Sequence, residues 1–304
     1  MSDKPQRIAV LMGGPSAERE VSLRTGQAAA GALREAGYDV TEVVLETEQF
    51  SLPENTDMAF LALHGTFGED GKVQDILNAR GIPFTGASAD VSRVTIDKEK
   101  TKEKFRQAGV PTPAGQLVKK LDEVTVPLPV FIKPNTQGSS VGSRAASTRE
   151  ELAAAVTDAL KYDSEVLVEQ LINGKELTVS ILGGQVLPII EIHPLDGFYD
   201  YTNKYTKGRT EYFCPGRFPT DVTTKIQELA LKAYQSVGDP VYGRVDFLLE
   251  KEINPYCLEI NTIPGMTATS LLPKAAAAVG ITFPQLCKQI IELSWAARRK
   301  EKNA

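Results

Sequence analysis

The segment YGRVDFLLEKEINPYCLEIN, residues 242–261, alternates apolar and polar residues on either side of a short polar break. That pattern predicts two antiparallel strands joined by a turn around Asn254 and Pro255. On the first strand Arg244 and Asp246 share one face while Val245 and Phe247 take the other, and on the return strand Glu259 and Asn261 again share a face. Paired, the four polar side chains meet on one side of the ribbon, where neighbouring carboxylates need a counter-charge. An all-oxygen set without His or Cys suits a hard divalent ion such as magnesium, which completes its shell with water and phosphate oxygens. The other reading is a solvated sheet face on which Arg244 simply pairs Asp246, and spacing leaves both open.

Upstream, FIKPNTQGSSVG (131–142) runs from a strand carrying Lys133 into a loop from Gly138 to Gly142. Glycines there turn backbone N–H groups toward an anion, Ser139 and Ser140 add hydroxyl donors, and Lys133 supplies a point charge, a set suited to a triphosphate. The loop is not a G-x-x-x-x-G-K-[ST] phosphate loop, and GGPSAE (13–18) is not a dinucleotide fingerprint. On its own such a loop is an ordinary flexible turn; the acidic face downstream is what raises the nucleotide reading.

The N-terminal segment reads as βα units: the apolar run RIAVLMGG, a helix with Val21, Leu23, Ala28 and Leu33 in register, then MAFLALHG and a second helix. Parallel α/β structure is expected to about residue 90. DKEKTKEKFRQAG (97–109) predicts a charged helix capped by Asp97 and stopped by Gly109 and Pro111. Beyond it, strands VFIKPN, EVLVEQLI, KELTVSIL and QVLPIIEI with one clear helix predict an α+β arrangement around antiparallel sheet. Residues 198–219 show no period, which marks a lid or binding loop.

The chain has 304 residues, 42% of them hydrophobic, enough for two domains or three small ones. No apolar stretch approaches the roughly 20 residues of a membrane span, and the first residues lack a signal-peptide core, so a cytoplasmic protein is expected. Cys214, Cys257 and Cys287 are scattered and odd in number, which argues against a disulfide framework or zinc site. With 34 basic and 39 acidic residues, nothing global points to nucleic acid or an anionic membrane, and the basic tail ARRKEKN reads as a solvated helix end.

Taken in order, GGPSAEREVSL, LHGTFGEDG, IKPNTQGSSVG, YDYTNKYTKG, GRVDFLL and LEINTIPGMTATSLLP resemble the motifs of the D-alanine:D-alanine ligases, members of the ATP-grasp enzymes, over nearly the whole chain. The resemblance implies a three-domain ATP-grasp fold of α/β and α+β character. It would comprise an N-terminal parallel α/β (pre-ATP-grasp) domain at 1–95 with the first D-alanine site, a central lobe at 96–182, and a C-terminal lobe at 183–304 with the metal site and active-site loop. It implies ATP and two magnesium ions, or manganese, as cofactors, two D-alanine substrates and a homodimer.

Further roles come from the same resemblance. Asp246, Glu259 and Asn261 look like metal ligands, with Lys98 and Lys133 on phosphate oxygens. Glu169 would accept from the adenine amino group, backbone groups near Gln170 and Leu171 would read the ring edge, and Glu176 would hold the ribose. Arg244 and the Gly265 N–H would stabilise the tetrahedral oxyanion. Glu18 would bind the first ammonium group, with His64 and Glu69 nearby. Ser270 and Leu271 would meet the second carboxylate. Ser139 and Tyr205 would hydrogen-bond to one another and to Glu18, and Lys204 with Tyr205 would close over the site and favour an amine nucleophile. CPGRFP (214–219) departs from the family pattern, and Arg217 there is expected to alter loop closure or substrate affinity.

Two other classes are weighed: a nucleotide-dependent regulatory protein without catalysis, disfavoured because Arg244, Asp246, Glu259, Asn261 and Ser139 are all present, and an ATP-grasp ligase for other substrates, disfavoured by GGPSAEREVSL and NKYTKG. In the leading reading, ATP phosphorylates one D-alanine carboxylate and a second D-alanine attacks the acyl phosphate, supplying peptidoglycan precursor.

Overall fold

A computed structural model describes residues 4–138, 141–196, 206, 208–267 and 269–303. The chain opens with strand β1 (Arg7–Gly13), of which all but Arg7 is buried, as expected of a strand covered on both faces. Helix α1 (Arg19–Glu35) returns over it to β2 (Asp39–Leu45), and β3 (Met58–Leu61) completes a parallel sheet in the order β2-β1-β3. The helix lies close on the sheet because residue 26 is glycine: a Cβ there would stand 2.5 Å from the Met12 Cβ. Helices α2 (Lys72–Ala79), α3 (Ala89–Ile96) and α4 (Lys98–Gln107) follow, and the Asp97 carboxylate accepts from the Lys100 N–H as the expected cap of α4.

The second sheet is antiparallel, ordered β4-β7-β5-β6, from β4 (Gly115–Val118), β5 (Val130–Pro134), β6 (Arg144–Ala146) and β7 (Val166–Gln170). Helix α5 (Arg149–Ala159), whose start is a reciprocal Thr148–Glu151 capping box, lays Leu152 and Val156 on Val130, Ile132 and Val168.

The third sheet contains β8 (Gly174–Leu182), β9 (Gln185–Val186), β10 (Ile190–Pro194), β11 (Thr210–Phe213), β12 (Tyr242–Glu250) and β13 (Asn254–Asn261), in the order β11-β10-β8-β12-β13 with β9 on β8. Helix α6 (Thr220–Ser236) covers one face. Helices α7 (Leu271–Ala277) and α8 (Phe283–Asn303) share a core with β1 and α1, so the first and third sheets are joined through one apolar cluster.

Four expectations are corrected. The strand 174–182 pairs with β10 and β12, so the chain crosses from the second sheet to the third at 171–173, not at 182. QVLPIIEI is two strands, β9 and β10, because Pro188 offers no N–H to a ladder. The stretch 198–219 includes edge strand β11 antiparallel to β10. The basic tail is not wholly solvated: Arg298 is buried, donates to the carbonyls of Phe84 and Gly86, and stacks on the Phe84 ring.

Candidate active site

In the β12–β13 ribbon Arg244 lies opposite Asn261 and Asp246 opposite Glu259, after which a bulge between Asp246 and Phe247 shifts the register. The turn falls at Lys251 and Glu252, both at positive φ, and not at Asn254 and Pro255, which belong to β13. The four polar side chains therefore meet as the alternation predicts. Arg244 forks onto Asp246, with Nε and Nη2 each 2.8 Å from a carboxylate oxygen, and the Thr178 hydroxyl donates to the same carboxylate at 2.5 Å. Beside this pair the Asn261 Oδ1 is buried without a hydrogen-bond donor. A buried amide oxygen lacking a donor, set beside two carboxylates, fits a hard divalent cation. Among the described residues no group of three or more His, Cys, Asp or Glu is placed to hold a metal.

Two cavities meet at this ribbon. One, about 400 Å³, lies between the second and third sheets, bordered by Lys133, Glu169, Gln170, Leu171, Glu176 and Asp246, with apolar walls from Phe131, Ile172, Leu248 and Leu258. The other, about 430 Å³, is bordered by Glu18, His64, Glu69, Arg244, Gly265, Ser270 and Leu271. Lys98, Gln137, Gly138 and Glu259 border both, so they form the wall that the two share.

The first cavity is electrostatically organised by three buried lysines. Lys98 is held at the start of α4, its Nζ donating to the Gln137 carbonyl at 2.6 Å, and burial pulls its pKa down against the opposing field of Glu259. Glu169 is not free to serve adenine alone: Lys102 Nζ stands 2.5 Å from one oxygen and Lys133 Nζ 2.7 Å from the other. Burial pushes the Glu169 carboxyl up, but the two ammonium groups outweigh it and hold the pKa below the usual carboxylate range. Lys133 is pulled down by burial and pushed further up by Glu169 and Glu259. The N–H groups of Gln170 and Leu171 donate to the carbonyls of Ala114 and Pro129, so those two donors are taken within the fold. Glu176 sits half-buried in β8.

In the second cavity the Glu18 carboxylate lies close to two glycines: a Cβ on Gly65 would come within 2.8 Å of it and one on Gly138 within 3.0 Å, so a side chain at either would make the carboxylate shift. Gly65 also has φ +68, and its N–H donates to Glu69 Oε2 at 2.7 Å. Burial, with Glu18 as the next cause, raises the Glu69 pKa to about 8. Burial drops His64 to about 4, so its ring is neutral at neutral pH, 3.1 Å from the Thr25 hydroxyl. Gly265 approaches Ser270, where a Cβ would stand 3.0 Å from the hydroxyl oxygen, and Ser270 accepts from the Thr267 N–H at 3.0 Å.

Ser139, Ser140, Lys204 and Tyr205 lie outside the described residues. The sequence reading misses Lys102, Thr25 and Tyr212; the second and third border the second cavity, and only Lys102 had a signal, its place one turn after Lys98. Arg217 holds the buried Glu191, which borders the first cavity, with Nε and Nη2 each 3.1 Å from its oxygens, and lies 3.3 Å over the Phe213 ring.

The chain is similar to proteins of one family along nearly its whole length. The family description "D-ala D-ala ligase C-terminus" matches residues 101–292 and "D-ala D-ala ligase N-terminus" matches 45–87. A D-alanine–D-alanine ligase of Methylacidiphilum infernorum is 48% identical over 291 residues, 96% of each chain. The crystal structure of the D-alanine–D-alanine ligase of Bacillus anthracis complexed with ATP superposes with TM-score 0.87 at 35% identity, covering 98% of this chain and 100% of that one. The VanG D-Ala:D-Ser ligase of Enterococcus faecalis superposes with TM-score 0.83 at 28% identity, covering 96% and 100%. On these matches, spanning nearly its whole length, the chain belongs to the D-alanine–D-alanine ligase family, with the ATP-grasp fold.

Proposed function

We propose that the protein joins two D-alanines into D-alanyl-D-alanine at the expense of ATP, through an acyl phosphate, for peptidoglycan precursor synthesis. The observation that carries this reading is the wall shared by the two cavities. A nucleotide in the 400 Å³ cavity would direct its terminal phosphate past Lys98 and Glu259 toward an amino acid held beside Glu18. Lys98 and Lys133 suit phosphate oxygens, and the apolar walls suit a planar base, with Glu169 and Glu176 as acceptors for its amino group and ribose hydroxyls.

Glu18 would hold the first ammonium group. Arg244 and the Gly265 N–H would face the oxyanion formed when the second amine attacks, and Ser270 with Leu271 would meet the second carboxylate. Ser139, Ser140, Lys204 and Tyr205 keep their expected roles at the phosphates, over the site and in selecting an amine. Asp246, Glu259 and Asn261 would hold the two magnesium or manganese ions, which when bound neutralise phosphate charge during transfer. For Asp246 this means yielding the fork it now shares with Arg244, and that frees Arg244 for the oxyanion. The proposal further takes the three units as functional domains, an N-terminal one to residue 95 and two lobes closing on ATP, and includes a cytoplasmic homodimer. Among the described residues no helix is long and apolar enough to cross a membrane.

The test is phosphate release from ATP and magnesium with D-alanine, L-alanine, D-serine or D-lactate supplied separately, products being identified by mass. Stoichiometric D-alanyl-D-alanine from D-alanine alone is expected. Nucleotide binding without turnover on any of them would leave the fold and discard the ligase reading.

A further inference from the structure

Lys102 is buried among the core residues, at 1% exposure, yet it borders neither cavity. It stands one turn after Lys98 on α4, so the helix turns both lysines inward. Its Nζ lies 2.8 Å from the Thr112 hydroxyl and 2.5 Å from Glu169 Oε1. The second Glu169 oxygen faces Lys133 at 2.7 Å. One buried carboxylate thus has two ammonium partners, and only the second of them reaches the cavity in which the phosphates are proposed to lie.

We propose that Lys102 is a positioning residue for nucleotide binding: as the fixed counter-ion of Glu169, it leaves Lys133 able to turn from that carboxylate to a nucleotide phosphate. The inference rests on the nucleotide reading of the 400 Å³ cavity. With Lys102 in place, Glu169 stays paired after Lys133 turns away, and the Lys133 charge is available to the phosphate. Without Lys102, Lys133 becomes the sole ammonium partner of Glu169. A phosphate must then draw it off and leave a carboxylate buried and uncompensated, which proteins resist strongly. The effect is specific to phosphate-bearing ligands, because adenosine makes no demand on Lys133.

The experiment is calorimetric titration of the full chain with ADP and with adenosine, comparing the unmodified protein, Lys102→Met, Glu169→Gln and the double variant, with thermal melts of each. Lys102→Met is expected to weaken ADP about tenfold or more while adenosine changes by less than about threefold, and adding Glu169→Gln is expected to restore ADP binding because Lys133 is released again. Equal losses for ADP and adenosine, or unchanged ADP affinity, would overturn the proposal. If Lys102→Met does not fold, Glu169→Gln is compared with the double variant. Their ADP affinities should agree within about threefold, and a gap of tenfold or more would show that Lys102 acts on nucleotide independently of Glu169. Failure of the unmodified protein to bind ADP would instead discard the nucleotide reading itself.

Discussion

Glu259 is the one carboxylate among the described residues that borders both cavities. Replacing it by glutamine keeps the shape and removes the charge, and phosphate release is expected to fall by about a hundredfold or more; near-normal turnover would remove Glu259 from the metal set. Two groups nearby, the buried His64 and the half-buried Glu69, give a pH signature. Glu69, raised to about 8, holds its proton in the folded chain well above the ordinary carboxylate range, so its contribution to stability is complete at low pH and is lost as pH rises toward 8. His64, lowered to about 4, acts oppositely: its contribution is complete above its ordinary value of 6.5 and is lost as pH falls toward 4. The two slopes oppose one another at mildly acid pH, and Glu69 acts alone from 6.5 to 8. Melting temperatures should therefore drop by a few degrees between pH 6.5 and 8, and Glu69→Gln should flatten that decline while keeping the acceptor for the Gly65 N–H; an equally steep decline in the variant would refute the assignment. At this scale the ribbon was legible, because alternation names a face directly. The Lys102–Glu169 pair was not, because it joins a helix to a distant strand and the surrounding run of lysines hides a buried one among solvated ones.

Among the elements, β11 shows how a departure in sequence becomes structure. It is an edge strand inside a polar, aperiodic stretch, with its one ladder on β10, so hydrophobic alternation is too weak to announce it. Strand β2 was missed because most of it is solvent-facing, and α3 because ADVSRVTI is short and rich in β-branched residues. The helices α1, α4 and α5 were readable from period and caps. Arg217 ties the segment after β11 to β10 through Glu191. Arg217→Ala should leave that buried carboxylate unpaired on the nucleotide wall and raise the KM for ATP about tenfold with a smaller change for D-alanine, and Glu191→Gln in the same chain should recover most of the loss. An unchanged KM for ATP would make Arg217 a surface residue in function.

The whole molecule places its chemistry where three sheets approach one another. β1 and α1 share a core with the third sheet and α8, while the second sheet keeps a core of its own against α5. Gln137 and Gly138 after β5 thus face the acidic ribbon of β12–β13 across the first cavity, and Glu18, at the start of α1, reaches Gly138 from the N-terminal unit. No local pattern predicts that meeting; it was legible only through the ordered motifs that resemble the family. The central claim is that phosphate passes through the shared wall onto a D-alanine carboxylate. It is tested most directly with D-alanine whose carboxylate carries heavy oxygen, turned over with unlabelled ATP, the released phosphate being examined by mass. Transfer through an acyl phosphate predicts one heavy oxygen in each phosphate released during dipeptide formation, whereas unlabelled phosphate alongside labelled dipeptide would contradict the account.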